Sequence, residues 1–223
     1  MSKETFFRML RRIMPQNAVP FAALGWQAQI HPLIFVHRVE GLASGAYILI
    51  RDGEEDMVQK MQDAFSERFV WRKVEESGLP LYLLVEEDVT TTASMVSCNQ
   101  NIASDGCFAV GMLAEMGNVL DRHGAGAYRR LHWEAGALGH VLYLEAEANK
   151  LRGTGIGCFF DDAVHHFLGM QDASPRFQTM YHFTLGAGVE DTRIQNLPAY
   201  HHLGSGGKMT RHRTGEVLPE GLV

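Results

Sequence analysis

The sequence predicts one domain that mixes helices and strands in uneven alternation. Three observations carry this. Short apolar runs rich in β-branched residues, such as PLIFVHRV, mark strands, and longer segments with apolar residues at helical spacing mark helices. The 223 residues, 46% apolar and 21% charged, have the length and balance of a single globular core, so residues 1–223 are taken as one domain.

The elements follow in order. Lys3 to Met14 places Phe6, Phe7, Leu10 and Ile13 on one helical face, and Pro15 closes the helix. Pro32 to Val39 and Gly45 to Ile50 read as two strands joined by the turn EGLASG, which predicts a hairpin. Glu54 to Phe65 is an amphipathic helix, Leu79 to Glu86 a strand, and Gly106 to Glu115 a buried strand. The longest periodic segment, about Ala127 to Leu151, is the central helix, where Gly136 and Gly139 let another backbone approach and Trp133 and Tyr143 read as packing residues. A glycine-rich turn and short strand (RGTGIGCFF), a helix over Asp162 to Leu168 and a strand over Phe177 to Leu185 follow. The tail from Gly204 to Val223 is glycine-rich, then basic, and reads as flexible or wrapped on a partner.

Composition narrows the function classes. A formal charge of -6 disfavours a phosphate-backbone grip, so nucleic acid is not expected as a partner. No apolar run approaches the roughly 18 residues a membrane helix needs, and no signal-peptide core is present, so a soluble cytoplasmic chain is expected. Cys98, Cys107 and Cys158 form no metal-type pair and are too few for a disulfide framework, which suggests reduced thiols. His165, His166, His182, His201 and His202 lack H-E-x-x-H spacing, so no metal is expected. Asp161 and Asp162 precede a helix and read as N-caps.

The stretch GTGIGCFFDD (Gly153 to Asp162) could bring backbone N–H groups against a flat or anionic ligand, although by spacing alone a plain helix-terminating turn is the better reading. It is not the dinucleotide fingerprint, because here the helix precedes the glycines.

Four blocks, HRVEGLASGAYIL, SCNQNIASDGCFAVGML, YRRLHWEAGALGHVLYLEAEANKLRGTGIGCFFDD and YHFTLGAGVEDTR, together resemble the nitroreductase family, in particular its branch of azoline-forming peptide dehydrogenases. The resemblance implies an α+β nitroreductase-like sandwich: a mixed, mostly antiparallel sheet flanked by helices, homodimeric, with FMN between subunits. Gly155, Ile156, Gly157, Cys158 and Phe159 match the turn facing the flavin N5 and O4 edge, which makes Cys158 a packed thiol beside the ring. Gln100, with Asn99 beside it, matches the amide near the ring or ribityl chain, and His140 stands where many members carry Gln. The long helix would lie at the subunit contact, approached over Gly136 and Gly139.

One departure is visible. The Arg-Ser-x-Arg segment that anchors the FMN phosphate has no counterpart; Lys208, Arg211 and Arg213 match basic positions near the family's C-terminus, and Arg8, Arg11 and Arg12 lie on the first helix. The resemblance implies an FMN-dependent oxidoreductase passing hydride from a donor such as NAD(P)H to an organic or peptide substrate. The alternative is a flavin-free domain acting as a structural or peptide-binding partner. Neither reading names a catalytic residue.

Overall fold

The computed structural model describes residues 1–170, 176–189, 192–195, 197, 201, 209–211 and 217–219. The chain forms two compact units, Met1–Ala187 and Gly188–Val223.

In the first unit, seven strands form one sheet: β1 (Ile30–Val36), β2 (Gly45–Leu49), β3 (Arg72–Lys73), β4 (Leu81–Val85), β5 (Phe108–Ala114), β6 (Arg152–Ile156) and β7 (Gln178–Gly186). Their order is β3-β4-β2-β1-β5-β7-β6, with every neighbouring pair antiparallel. The expected hairpin is β1–β2, with Leu33 opposite Ile48. β1 and β5 are buried along their whole length. That is why both read as unbroken apolar runs, since each face of the sheet is covered.

One face carries α1 (Lys3–Arg12), α5 (Met116–His123) and α6 (Ala127–Ala148); Phe6, Leu10, Leu131 and Leu138 pack there on Ile34, Phe108 and Phe183. The other carries α2 (Glu54–Ala64), α3 (Thr90–Val96), α4 (Ile102–Asp105) and α7 (Asp161–Leu168), whose Met61, Val96, Ala103 and Val164 pack on Phe35, Ala109 and Ile156. The result is a three-layer α+β arrangement. α1 starts where the Ser2 hydroxyl accepts the Thr5 N–H at 3.3 Å, a side-chain cap for an otherwise orphaned donor.

The sequence pattern does not announce α3, α4 or α5. α3 reads TTTASMV, mostly β-branched and hydroxyl residues with weak helix propensity. It forms because Asp88 accepts the Thr90 N–H at 2.9 Å and because Ala93 and Val96 are buried. Tertiary burial here overrides propensity.

Two expectations about α6 are corrected. Trp133 is 57% exposed and does not pack in the core; its ring lies 6.5 Å from that of Trp26. Gly139 meets no second backbone: a β-carbon there would sit 3.1 Å from the Tyr181 ring, so the glycine accommodates an aromatic ring of the chain's own sheet. Gly136, in contrast, has no atom within 4 Å of that position and lies on the outer face.

In the second unit, β8 (Met209–Arg211) pairs antiparallel with β9 (Val217–Pro219), Thr210 opposite Leu218. Arg211 lies on β8, whereas Lys208 and Arg213 lie outside the described residues.

Candidate functional site

The glycine stretch leaves α6 as the edge strand β6 and then turns across residues 157–160 into α7. Its glycines have separate causes. A β-carbon on Gly153 would lie 2.7 Å from the Phe183 ring, and one on Gly155 would lie 1.7 Å from the Tyr181 hydroxyl. Those two residues are side-chain-free so that the aromatic rings of β7 can fill the space beneath α6. The Gly155 N–H is also already spent, donating to the Tyr143 hydroxyl at 2.7 Å, while the Tyr143 ring meets Phe183 edge-on at 4.8 Å. Tyr143 is therefore half-exposed but structurally engaged.

Gly157 differs. It is exposed, and nothing lies within 4 Å of where its β-carbon would stand. Among the described residues, the N–H groups of Gly157, Cys158 and Phe159 donate no hydrogen bond. Three consecutive donors without a partner among the described residues, on a fixed turn whose Gly157 carries no side chain, form a surface against which a planar acceptor-edged ring can lie.

The turn is held by the segment between α3 and α4. Phe160 donates its N–H to the Val96 carbonyl at 2.9 Å. The Gln100 amide donates to the carbonyls of Ser97 and Cys158 at 2.9 and 3.1 Å. The Phe159 ring stacks on His182, centroids 4.5 Å apart and planes within 5°. His182 in turn shares a 3.1 Å hydrogen bond between Nδ1 and the Ser97 hydroxyl, and burial pushes its pKa down to about 4, so the ring is neutral near pH 7. Among the described residues its Nε2 and the Thr179 hydroxyl are buried without a hydrogen-bond partner, and both border the space beside Gly111.

The structure thus brings Gln100 together with Gly157, Cys158 and Phe159, and turns Gly155 towards the tyrosines. Ile156 is buried in the core layer beneath α7. Three expectations fail here. Cys98 and Cys158 are not reduced thiols but are joined in a disulfide, leaving Cys107 free among the described residues. Cys158 is accordingly an exposed bridge member and no packed thiol. Asp161 and Asp162 are not caps: α7 has Phe160 at its N-cap with no side-chain cap bond, Asp161 accepts from Gln178 at 2.8 Å, and Asp162 projects into solvent.

Arg8, Arg11 and Arg12 find their partners outside the turn. Arg8 bonds the Asn149 side chain, Arg11 the Ser77 carbonyl at 2.9 Å, and Arg12 pairs with Glu145 at 3.5 Å. His140 lies exposed on α6.

Sequence reasoning also missed a buried ion pair. Glu134, within the EAG motif of α6, accepts from the Arg51 guanidinium, from Trp26 Nε1 at 3.2 Å and from the N–H groups of Gln29 and Ile30 at 3.1 Å. Arg51 also donates to the carbonyls of Ile13 and Ile30. Both side chains are 1% exposed, beside a cavity of about 600 Å³ that Phe21, Trp26 and Gln27 help line. A charged residue at a core-facing position of α6 was the available signal.

Comparison with known proteins gives a consistent result. Residues 44–187 match the model of the nitroreductase family. Among solved structures, an Anabaena variabilis protein described as a nitroreductase superposes with a TM-score of 0.62 at 21% identity, over 84% of this chain and 34% of that one. The chain thus spans about a third of that protein's length. A component of the Escherichia coli microcin synthetase McbBCD complex, with truncated pro-microcin bound, gives 0.58 at 14% identity, over 86% of this chain and 65% of that one. A Ralstonia eutropha protein described as a nitroreductase gives 0.55 at 11% identity, over 84% and 74%. No curated protein sequence matches.

Proposed function

The chain belongs to the nitroreductase family, and on that premise we propose that it is an FMN-dependent oxidoreductase whose flavin lies against residues 157–159. The observation that carries this reading is the open turn: N–H groups of Gly157, Cys158 and Phe159 that donate to none of the described residues, and no side chain on Gly157. When bound, FMN supplies hydride chemistry between a donor such as NAD(P)H and an organic or peptide acceptor. The turn's role is electrostatic and positional. Fixed donors at the ring edge favour the negative charge that reduction places there, and they need no reorganisation because Val96, Gln100 and His182 already hold the turn. Gln100 has its amide nitrogen committed to Ser97 and Cys158, so its carbonyl oxygen is the group left to face a ligand.

A peptide acceptor draws support from the microcin synthetase likeness, which is a likeness of fold. We place the phosphate contact on Lys208, Arg211 and Arg213, since the three arginines of α1 are engaged within the chain. We further propose a homodimer in the cytoplasm. Among the described residues no helix is long and apolar enough to cross a membrane.

The flavin-free alternative rests on that same engagement of Arg8, Arg11 and Arg12, which leaves α1 no anchor for a phosphate. Visible spectra and titration with FMN and with riboflavin decide. A yellow protein, or one that binds FMN more tightly than riboflavin, supports the oxidoreductase with a phosphate contact. A colourless protein that binds neither at high micromolar concentration supports the structural or peptide-binding role.

A further inference from the structure

The Cys98–Cys158 bridge lies at the edge of the proposed flavin surface, and its surroundings make it poorly suited to a purely structural role. The two segments it joins are already tied by the Phe160–Val96 backbone bond, by Gln100 on the Cys158 carbonyl and by the stack of Phe159 on His182. Beneath them Val96, Ala103, Ile156 and Val164 are buried in one core layer. Breaking the bridge removes one restraint among several and leaves the packing intact.

Its position is also accessible. Cys158 is exposed and Cys98 half-buried. Cys98 and Asn99 have φ of 57° and 56°, consecutive left-handed residues without glycine, a conformation the surrounding structure must impose. A polar groove of about 490 Å³, lined by Arg38, Thr90, Ser94, Asn99 and Asp105, opens next to Cys98 in the chain. It is large enough for a small molecule bearing charged groups.

We infer that the Cys98–Cys158 pair is a thiol–disulfide exchange site that low-molecular-weight thiols reduce and re-form in the folded protein. The incoming thiolate attacks Sγ of Cys158, the more exposed residue of the pair, forming a mixed disulfide as the bond to Cys98 breaks and Cys98 leaves as a thiolate. A second thiolate attacks the outer sulfur of the mixed disulfide and releases Cys158. Two thiols lose two electrons and become a disulfide; the bridge gains them, and two protons end on Cys98 and Cys158. In a cytoplasmic chain, bridges of this kind are characteristically transient and redox-linked. Reduction frees the covalent hold on the turn that carries Gly157, so this inference deepens the flavin reading, although the exchange itself does not depend on it.

The test uses the full chain with Cys107→Ser, incubated in graded mixtures of reduced and oxidised glutathione, then alkylated and weighed. Two alkyl groups should appear together as the mixture becomes reducing, while circular dichroism stays constant, and both should disappear when oxidant is restored. Cys98→Ser should leave a single glutathione adduct on Cys158. Two things overturn the inference: both cysteines alkylating in fully oxidising mixtures, or a bridge that yields only after the chain unfolds. FMN titration of the reduced and bridged forms separates the two readings. Weaker FMN binding by the reduced form supports the link to the turn, equal FMN affinities sever it, and exchange with no FMN binding by either form leaves the exchange site standing and removes the flavin reading.

Discussion

Gly155 and Gly157 stand two residues apart and answer to different constraints, which makes them separable by substitution. A methyl group on Gly155 collides with the Tyr181 hydroxyl, so Gly155→Ala should destabilise the fold by about 1–3 kcal/mol, read as a lower urea midpoint. Gly157→Val adds a side chain to empty space on a backbone whose φ is not left-handed, so stability should change by no more than about 0.5 kcal/mol. FMN binding should nevertheless be lost. A folded Gly157→Val chain that binds FMN as the parent does would move the site away from this turn. His182 gives a second test at this scale. Its folded pKa of about 4 lies below the ordinary value of 6.5, so between these values the unfolded chain binds more protons and stability falls as pH falls. The shift corresponds to about 3 kcal/mol lost by pH 4, and His31, pushed to about 3 by burial, adds in the same direction. Urea unfolding across pH 7 to 4 should show this slope, and His182→Phe should make it shallower while leaving the part due to His31; an unchanged slope in the variant would assign the dependence elsewhere.

Among the elements, α6 is the one that organises the rest, because its Glu134 closes the segment 26–30 and the end of β2 onto one buried carboxylate. Glu134→Gln leaves Arg51 buried without a counter-charge and should cost about 3–5 kcal/mol, whereas replacing Arg51 and Glu134 together by Met and Leu should recover much of it. Equal urea midpoints for the single variant and the parent would show that the pair carries no net weight. The core strands β1, β2, β4, β5 and β7 and the helices α1, α2 and α6 were legible in the sequence because burial on both faces, or on one helical face, writes itself as apolar spacing, whereas the two-residue, exposed β3 left no such mark. α3–α5 were not, since TTTASMV forms a helix through Asp88 and the burial of Ala93 and Val96, contacts that no local pattern encodes. At the candidate site, family likeness singled out the turn and Gln100, which the structure brings into contact through the Cys158 carbonyl. The stack of Phe159 on His182 and the Cys98–Cys158 bridge were not legible, because cysteines 60 residues apart reveal nothing until the sheet brings them together.

At the scale of the whole molecule, the outer face of α6 presents Trp133, Gly136, His140 and Leu144 at intervals of one helical turn, with Trp133 57% and Leu144 58% exposed. A stripe with apolar side chains at its two ends and a side-chain-free position between them suits a second helix, and a two-fold contact would set Gly136 against its own copy, where backbones approach most closely. Gly139 cannot serve this purpose, because Tyr181 and Phe183 of the same chain occupy its open side. The proposed homodimer therefore makes a position-specific claim. Sedimentation at micromolar concentration should show twice the chain mass; Gly136→Leu should weaken assembly by about 1–3 kcal/mol through overpacking, and Trp133→Glu should weaken it by placing a charge in the contact. Gly139→Ala should instead lower monomer stability by crowding the Tyr181 ring and leave the dimer's affinity alone. A chain that stays monomeric throughout the concentration range would remove both the dimer and any flavin site completed by a second copy.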